Sequence, residues 1–132
     1  MSAPEINFID EITIGRGDLS RSVNKEVDDS EVDDMCKIIV ETAQRKKIKV
    51  SIGGGVDPKN AERVFQRIKP DKINTRSIVF NRGCSLDIKQ SILKALEYEI
   101  LMMNEDFRLG FISKNEAESR NEKLQKRMTA TR

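Results

Sequence analysis

Ile48-Lys49-Val50-Ser51-Ile52-Gly53-Gly54-Gly55-Val56-Asp57-Pro58 is the stretch on which the fold turns. Ile48, Val50 and Ile52 alternate with Lys49 and Ser51, the period-two pattern of a strand with one apolar face. The strand breaks at three glycines, and Asp57-Pro58 then signals a helix start. An Asp side chain can accept from the free N–H groups of a first turn, and Pro at the first helical position lacks only an N–H that would go unpaired there. Ala61, Val64, Phe65 and Ile68 give that helix one apolar face. The unit is strand, glycine turn, helix.

The flanking sequence repeats the unit on both sides. Upstream, an apolar β-branched run from Phe8 to Ile14 reads as a strand that ends in the turn Gly15-Arg16-Gly17-Asp18. An acidic stretch follows, and Ser30 is the expected cap of a helix carrying Val32, Met35, Cys36, Ile39, Val40 and Ala43 at helical spacing. That helix closes on Arg45-Lys46-Lys47, which suits its negative dipole end. Downstream, Pro70-Asp71 ends the second helix and a third strand is expected over residues 72–80. A long helix then starts near Ser85 or Asp87, with Ile88, Ile92, Leu93, Leu96, Ile100 and Met103 as its stripe. Gly110 lies in a break, and Ser113-Lys114-Asn115-Glu116 fits the capping box of a last helix. That helix offers only Ala117, Leu124 and Met128 to a core, so it is expected to fray or to lean on another chain.

Strands alternating with helices of this length argue for parallel βαβ units and an α/β fold. The expected division is residues 1–84 for three strand–helix units, with strands at about 8–14, 48–52 and 72–80. Residues 85–132 then form C-terminal helices, a candidate oligomerisation element. The 132 residues suffice for one domain, whereas a complete (β/α)₈ barrel needs roughly 200. Any barrel reading therefore treats this chain as part of one.

Composition excludes several function classes. Lys plus Arg is 24 and Asp plus Glu 22, for a net charge of +2, with the signs interleaved. That is the pattern of solvated helix faces, so neither nucleic acid nor membrane is an expected partner. No apolar run approaches the ~20 residues of a membrane span and no signal segment opens the chain, so the cytoplasm is the expected compartment. Cys36 and Cys84 lack CxxC spacing, and Cys36 reads as core filler. Histidine is absent, so chemistry here must use carboxylates, Arg, Lys, hydroxyls or backbone amides.

In parallel α/β folds ligands bind beyond the carboxyl ends of the strands. The glycine-rich and polar residues fall at those places: Gly15, Arg16, Gly17 and Asp18 after strand one, Gly53, Gly54 and Gly55 after strand two, Thr75 and Arg76 at strand three. Asp18 is the candidate metal ligand, since a hard divalent ion wants carboxylate oxygens. The competing reading is an Asx-turn in which it bonds only nearby amides. The glycine triplet can offer amides to an anion, or merely permit a tight turn. A negative Asp57 tells against a dianion there. Arg16 and Arg76 are either anion clamps or surface ion pairs. Lys49 lies near the amino end of its strand, the stability face of a barrel, and is set aside as a catalytic lysine.

These residues resemble a known family. Ile12-Thr13-Ile14-Gly15-Arg16-Gly17-Asp18-Leu19-Ser20 is similar to the sixth-strand motif of the citrate lyase beta-subunit and hydroxy-keto-acid aldolase family. Val50-Ser51-Ile52-Gly53-Gly54-Gly55-Val56 resembles its seventh strand, and residues 71–80, around Asn74-Thr75-Arg76, its eighth. The likeness spans about residues 6–106. It implies the last three strand–helix units of a (β/α)₈ TIM barrel, plus a C-terminal helical extension. It further implies a metal-dependent lyase that makes or cleaves carbon–carbon bonds in a pyruvate-like keto acid or an acyl thioester. In that family Mg²⁺ or Mn²⁺ is held by a Glu of the fifth strand and an Asp of the sixth, which the resemblance places at Asp18. The amides of Gly15 to Gly17 would lie beside the substrate carboxylate.

The fifth-strand Glu, the enolate-stabilising Arg and the usual base belong to units outside this chain, so the chain alone is expected to be close to inert. Three parallel strands leave unpaired edges and faces, and apolar burial at roughly 25 cal/mol per Å² would drive self-association or pairing with a partner chain. Two other readings stand beside this one: a non-catalytic α/β interaction or assembly domain, and a phosphate-binding barrel segment of another family.

Overall fold

The computed structural model describes residues 4–83 and 87–129; Cys84 and Ser85 lie outside them. After a 3-10 turn at Pro4–Phe8 the order is β1 (Glu11–Gly15), α1 (Arg16–Ser22), α2 (Ser30–Arg45), β2 (Lys49–Gly53) and α3 (Ala61–Arg67). Then come β3 (Lys72–Asn74), β4 (Val79–Asn81), α4 (Ile88–Arg108) and α5 (Lys114–Thr129). The fold is α/β, with one four-stranded sheet in the order β1-β2-β3-β4. β1 and β2 are parallel, with Gly15 opposite Gly53, and β2 and β3 are parallel with Ile52 opposite Ile73.

The third strand corrects the expectation. Residues 72–80 do not run as one strand: β3 stops at Asn74 and β4 returns antiparallel, with Ile73 opposite Phe80. The sheet is therefore mixed, not wholly parallel. Thr75 holds the reversal, its hydroxyl accepting from the Ile78 amide at 3.1 Å, while Glu99 on α4 accepts the Arg76 amide at 3.1 Å. Every polar backbone group near a turn needs a partner, and here a buried side chain 23 positions away supplies one.

Strand alternation divides the sheet chemically. Ile14, Val50, Ile52 and Ile73 face one core with Val32, Cys36, Val40 and Ala43 of α2, Ala61 and Val64 of α3, and Ile92, Ala95 and Leu96 of α4. The other face is polar. The Thr13 hydroxyl meets that of Ser51 at 2.7 Å, the Asn74 amide lies 3.4 Å from Ser51, and Lys72 reaches over to Glu11 at 2.6 Å.

Helix ends follow local side-chain chemistry, with two shifts from expectation. Asp29, one residue before Ser30, caps α2 by accepting from the Glu31 amide at 2.8 Å. Asp57 accepts from the amides of Lys59 and Asn60, both at 2.8 Å, but this holds a turn and regular helix starts only at Ala61. Asp87 caps α4, and Ser113 accepts from the Glu116 amide at 3.1 Å, the first of the two bonds of a capping box. α5 packs back on α4, with Leu124 buried in the core. No helix among the described residues is long and apolar enough to cross a membrane.

Candidate functional site

The carboxyl ends of β1, β2 and β3 lie side by side, so the three sequence segments meet at one sheet edge. Gly15 ends β1 and serves as the N-cap of α1, a seven-residue helix that the sequence read only as a turn. Its Ser20 and Ser22 hydroxyls donate back to the carbonyls of Gly17 at 2.9 Å and Leu19 at 2.7 Å.

Gly54 sets how closely the first two segments approach. Its φ is +85°, and a Cβ there would stand 2.7 Å from the Gly17 nitrogen and 3.1 Å from that of Arg16. Only glycine fits between the triplet and the N-terminus of α1. Gly17 thus contributes backbone to the contact, and Gly55 packs on Val27.

Asp18 sits in the first turn of α1 with its side chain 84% exposed, ion-paired to Arg21 and folded toward Gly15. Among the described residues no group of three or more Asp, Glu or Cys side chains gathers in a way that could hold a metal. Asp18 alone fits one ligand position of a hard divalent ion, an accessible carboxylate at a strand end, and the described residues do not fill the rest of such a set.

Arg16 is fully buried. Its guanidinium lies 3.3 Å from Asp28 and 3.6 Å from the equally buried Asp33, and it donates to the Gly55 carbonyl at 3.5 Å. Arg63 pairs with both carboxylates, and Asn60 donates to the Gly55 carbonyl at 2.7 Å. The anions Arg16 clamps are the protein's own, and the network fixes the glycine triplet from behind. Sequence reading missed Asp28, Asp33 and Arg63, because ion pairs more than ten residues apart leave no periodic mark.

Gly53, Gly54, Gly55, Thr75 and Arg76 line one cavity of about 210 Å³ together with Asn74 and Arg127. Gly15, Arg16, Gly17 and Asp18 adjoin it through the Gly54 contact and do not line it. Two of the lining residues each carry a buried polar atom without a hydrogen-bond partner, Oδ1 of Asn74 and Nε of Arg127. Such atoms cost free energy while they stay unpaired. Arg127 escaped the sequence reading because α5 looks like a solvated charged helix.

Burial pushes the Cys36 thiol up to about 11, with a smaller downward pull from Arg16. It is a core side chain on α2 and takes no part in the site. Compared with family models, curated proteins and solved structures, the chain matches none.

Proposed function

We propose that this chain is the C-terminal segment of a metal-dependent carbon–carbon lyase of the aldolase type. It acts on a pyruvate-like keto acid or acyl thioester, and its site is completed from outside the chain, by a second copy or a partner chain. The observation that carries the reading is the shared strand edge. Gly15 and Gly53 stand in register, Gly54 packs on the start of α1, and Asn74 to Arg76 close the row. The sheet face beneath that edge carries the polar side chains of Thr13, Ser51 and Asn74.

Each residue has a role in this reading. Asp18 supplies one oxygen ligand to Mg²⁺ or Mn²⁺, and the other ligands come from outside the chain. When bound, such an ion polarises the keto oxygen as a Lewis acid. The Gly15–Gly17 amides lie beside the substrate carboxylate, and the Gly53–Gly55 backbone with Thr75 and Arg76, whose guanidinium has no partner among the described residues, borders the rest of the substrate. Arg16 is a positioning residue that acts through Gly55.

Electron paramagnetic resonance of Mn²⁺ titrated into the full chain with pyruvate tests the assignment. Pyruvate-dependent binding that disappears in Asp18→Asn supports it. Binding unchanged by the substitution removes Asp18 from the site, and no binding at all shows that copies of this chain do not complete it. A second reading rests on the β3–β4 hairpin, which occupies the edge where a barrel would continue. A non-catalytic α/β assembly domain would keep that hairpin and show no Mn²⁺ dependence on Asp18.

A further inference from the structure

A second cavity, of about 440 Å³, lies between α4, α5 and the β3–β4 turn. Its volume falls within the range of small-molecule sites. Arg76, Arg120, Lys123 and Arg127 line it, against two carboxylates, Glu99 and Asp106. Glu99 is committed: it accepts the Arg76 amide and lies 4.0 Å from Arg127.

The placement of these cations is unlike that of the rest of α5. On its solvent side charges alternate as i,i+4 pairs, Lys114 with Glu118 and Glu122 with Lys126. Arg120, Lys123 and Arg127 instead form a stripe of one sign at i, i+3 and i+7, and like charges at that spacing destabilise a helix. Arg120 has a 3.7 Å contact to Glu116, whereas the side chains of Lys123 and Arg76 have no ion pair or hydrogen bond among the described residues. Arg127 donates to the Val56 carbonyl, and its Nε is buried without a partner. Four cations converge on a cavity that holds too little negative charge to match them. Tyr98, Met102 and Leu124 supply an apolar wall beside them.

We propose that this cavity binds a small organic phosphate, its phosphoryl oxygens on Arg76, Lys123 and Arg127 and its organic part against Tyr98 and Met102. A phosphate dianion suits several donors arriving from different directions, where a carboxylate is served by one arginine. The site shares Arg76 and Arg127 with the smaller cavity and does not include Asp18, so it stands whether or not Asp18 holds a metal.

Isothermal titration calorimetry of the full chain with phenyl phosphate tests this. Arg76→Gln with Lys123→Gln removes two side chains that hold nothing else in place. The expected result is saturable binding that weakens about tenfold or more in that double variant, with benzoate at least about tenfold weaker on the wild type and Asp18→Asn unchanged. Absence of saturable binding up to about 10 mM, equal binding by the double variant, or equal binding of benzoate overturns the proposal.

Discussion

At the scale of single residues, the site edge depends on what is missing from Gly54. Its left-handed φ and its contact with the Gly17 backbone make any side chain doubly unfavourable. Gly54→Ala is expected to cost about 2 kcal/mol or more in urea unfolding, because the obstacle is backbone that cannot rotate away. Gly53→Ala, whose Cβ would meet nothing closer than 3.7 Å, serves as the mild control. Cys36 makes a prediction in pH. Its folded value of about 11 lies above the ordinary 9.0, so the native state holds a proton that the unfolded state releases. The resulting stability is whole below pH 9 and is lost as pH rises through about 11. Urea titrations of wild type and Cys36→Ala should show their stability gap narrowing by about 2 kcal/mol across that window. A gap that stays constant would mean the thiol is not desolvated in the native state.

At the scale of elements, α4 ends as an expected helix stop should. Gly110 has a φ of +78°, the Phe111 amide bonds to the Asp106 carbonyl at 2.9 Å and the Gly110 amide to that of Phe107 at 3.0 Å. This is the Schellman arrangement, and it turns the chain so that α5 returns along α4. Gly110→Ala is expected to lower stability by about 1 kcal/mol in thermal or urea unfolding, since no neighbour opposes the Cβ and only the backbone conformation does. A neutral effect would show that the turn relaxes without cost. The same scale shows what could be read in advance. β2 and α4 were legible because period two and period 3.6 are strong local signals. Asp57 was legible as a cap, but its turn precedes the helix. The β3–β4 reversal was not legible, for Thr75-Arg76-Ser77-Ile78 has no Gly or Pro and is held by Glu99 from α4. α1 was hidden by Gly17 inside it, Gly15 just before it and its length of seven residues. Lines of polar residues at strand ends were enough to name Gly53 to Gly55, Thr75 and Arg76 as neighbours. The Arg16 network and the approach of Arg127 depend on tertiary folding alone.

At the scale of the whole molecule, the sheet has unequal ends. β3 is covered by β4, whereas β1 has no strand beyond it among the described residues. Parallel strands are ordinarily covered on both faces, yet the side bearing Thr13, Ser51 and Asn74 is polar. α4 adds exposed apolar side chains, with Leu101 at 67% and Phe111 just beyond it at 74%. In the proposed reading, that open strand edge and these exposed apolar side chains are where association would take place. The central claim is that the strand-end residues form part of a ligand site that assembly completes. Light scattering of the 15.1 kDa chain, with and without Mg²⁺ and pyruvate, tests it most directly. A dimer or larger species that tightens when both ligands are present, and loses that response in Asp18→Asn, is the expected result. A monomer indifferent to both ligands would contradict it.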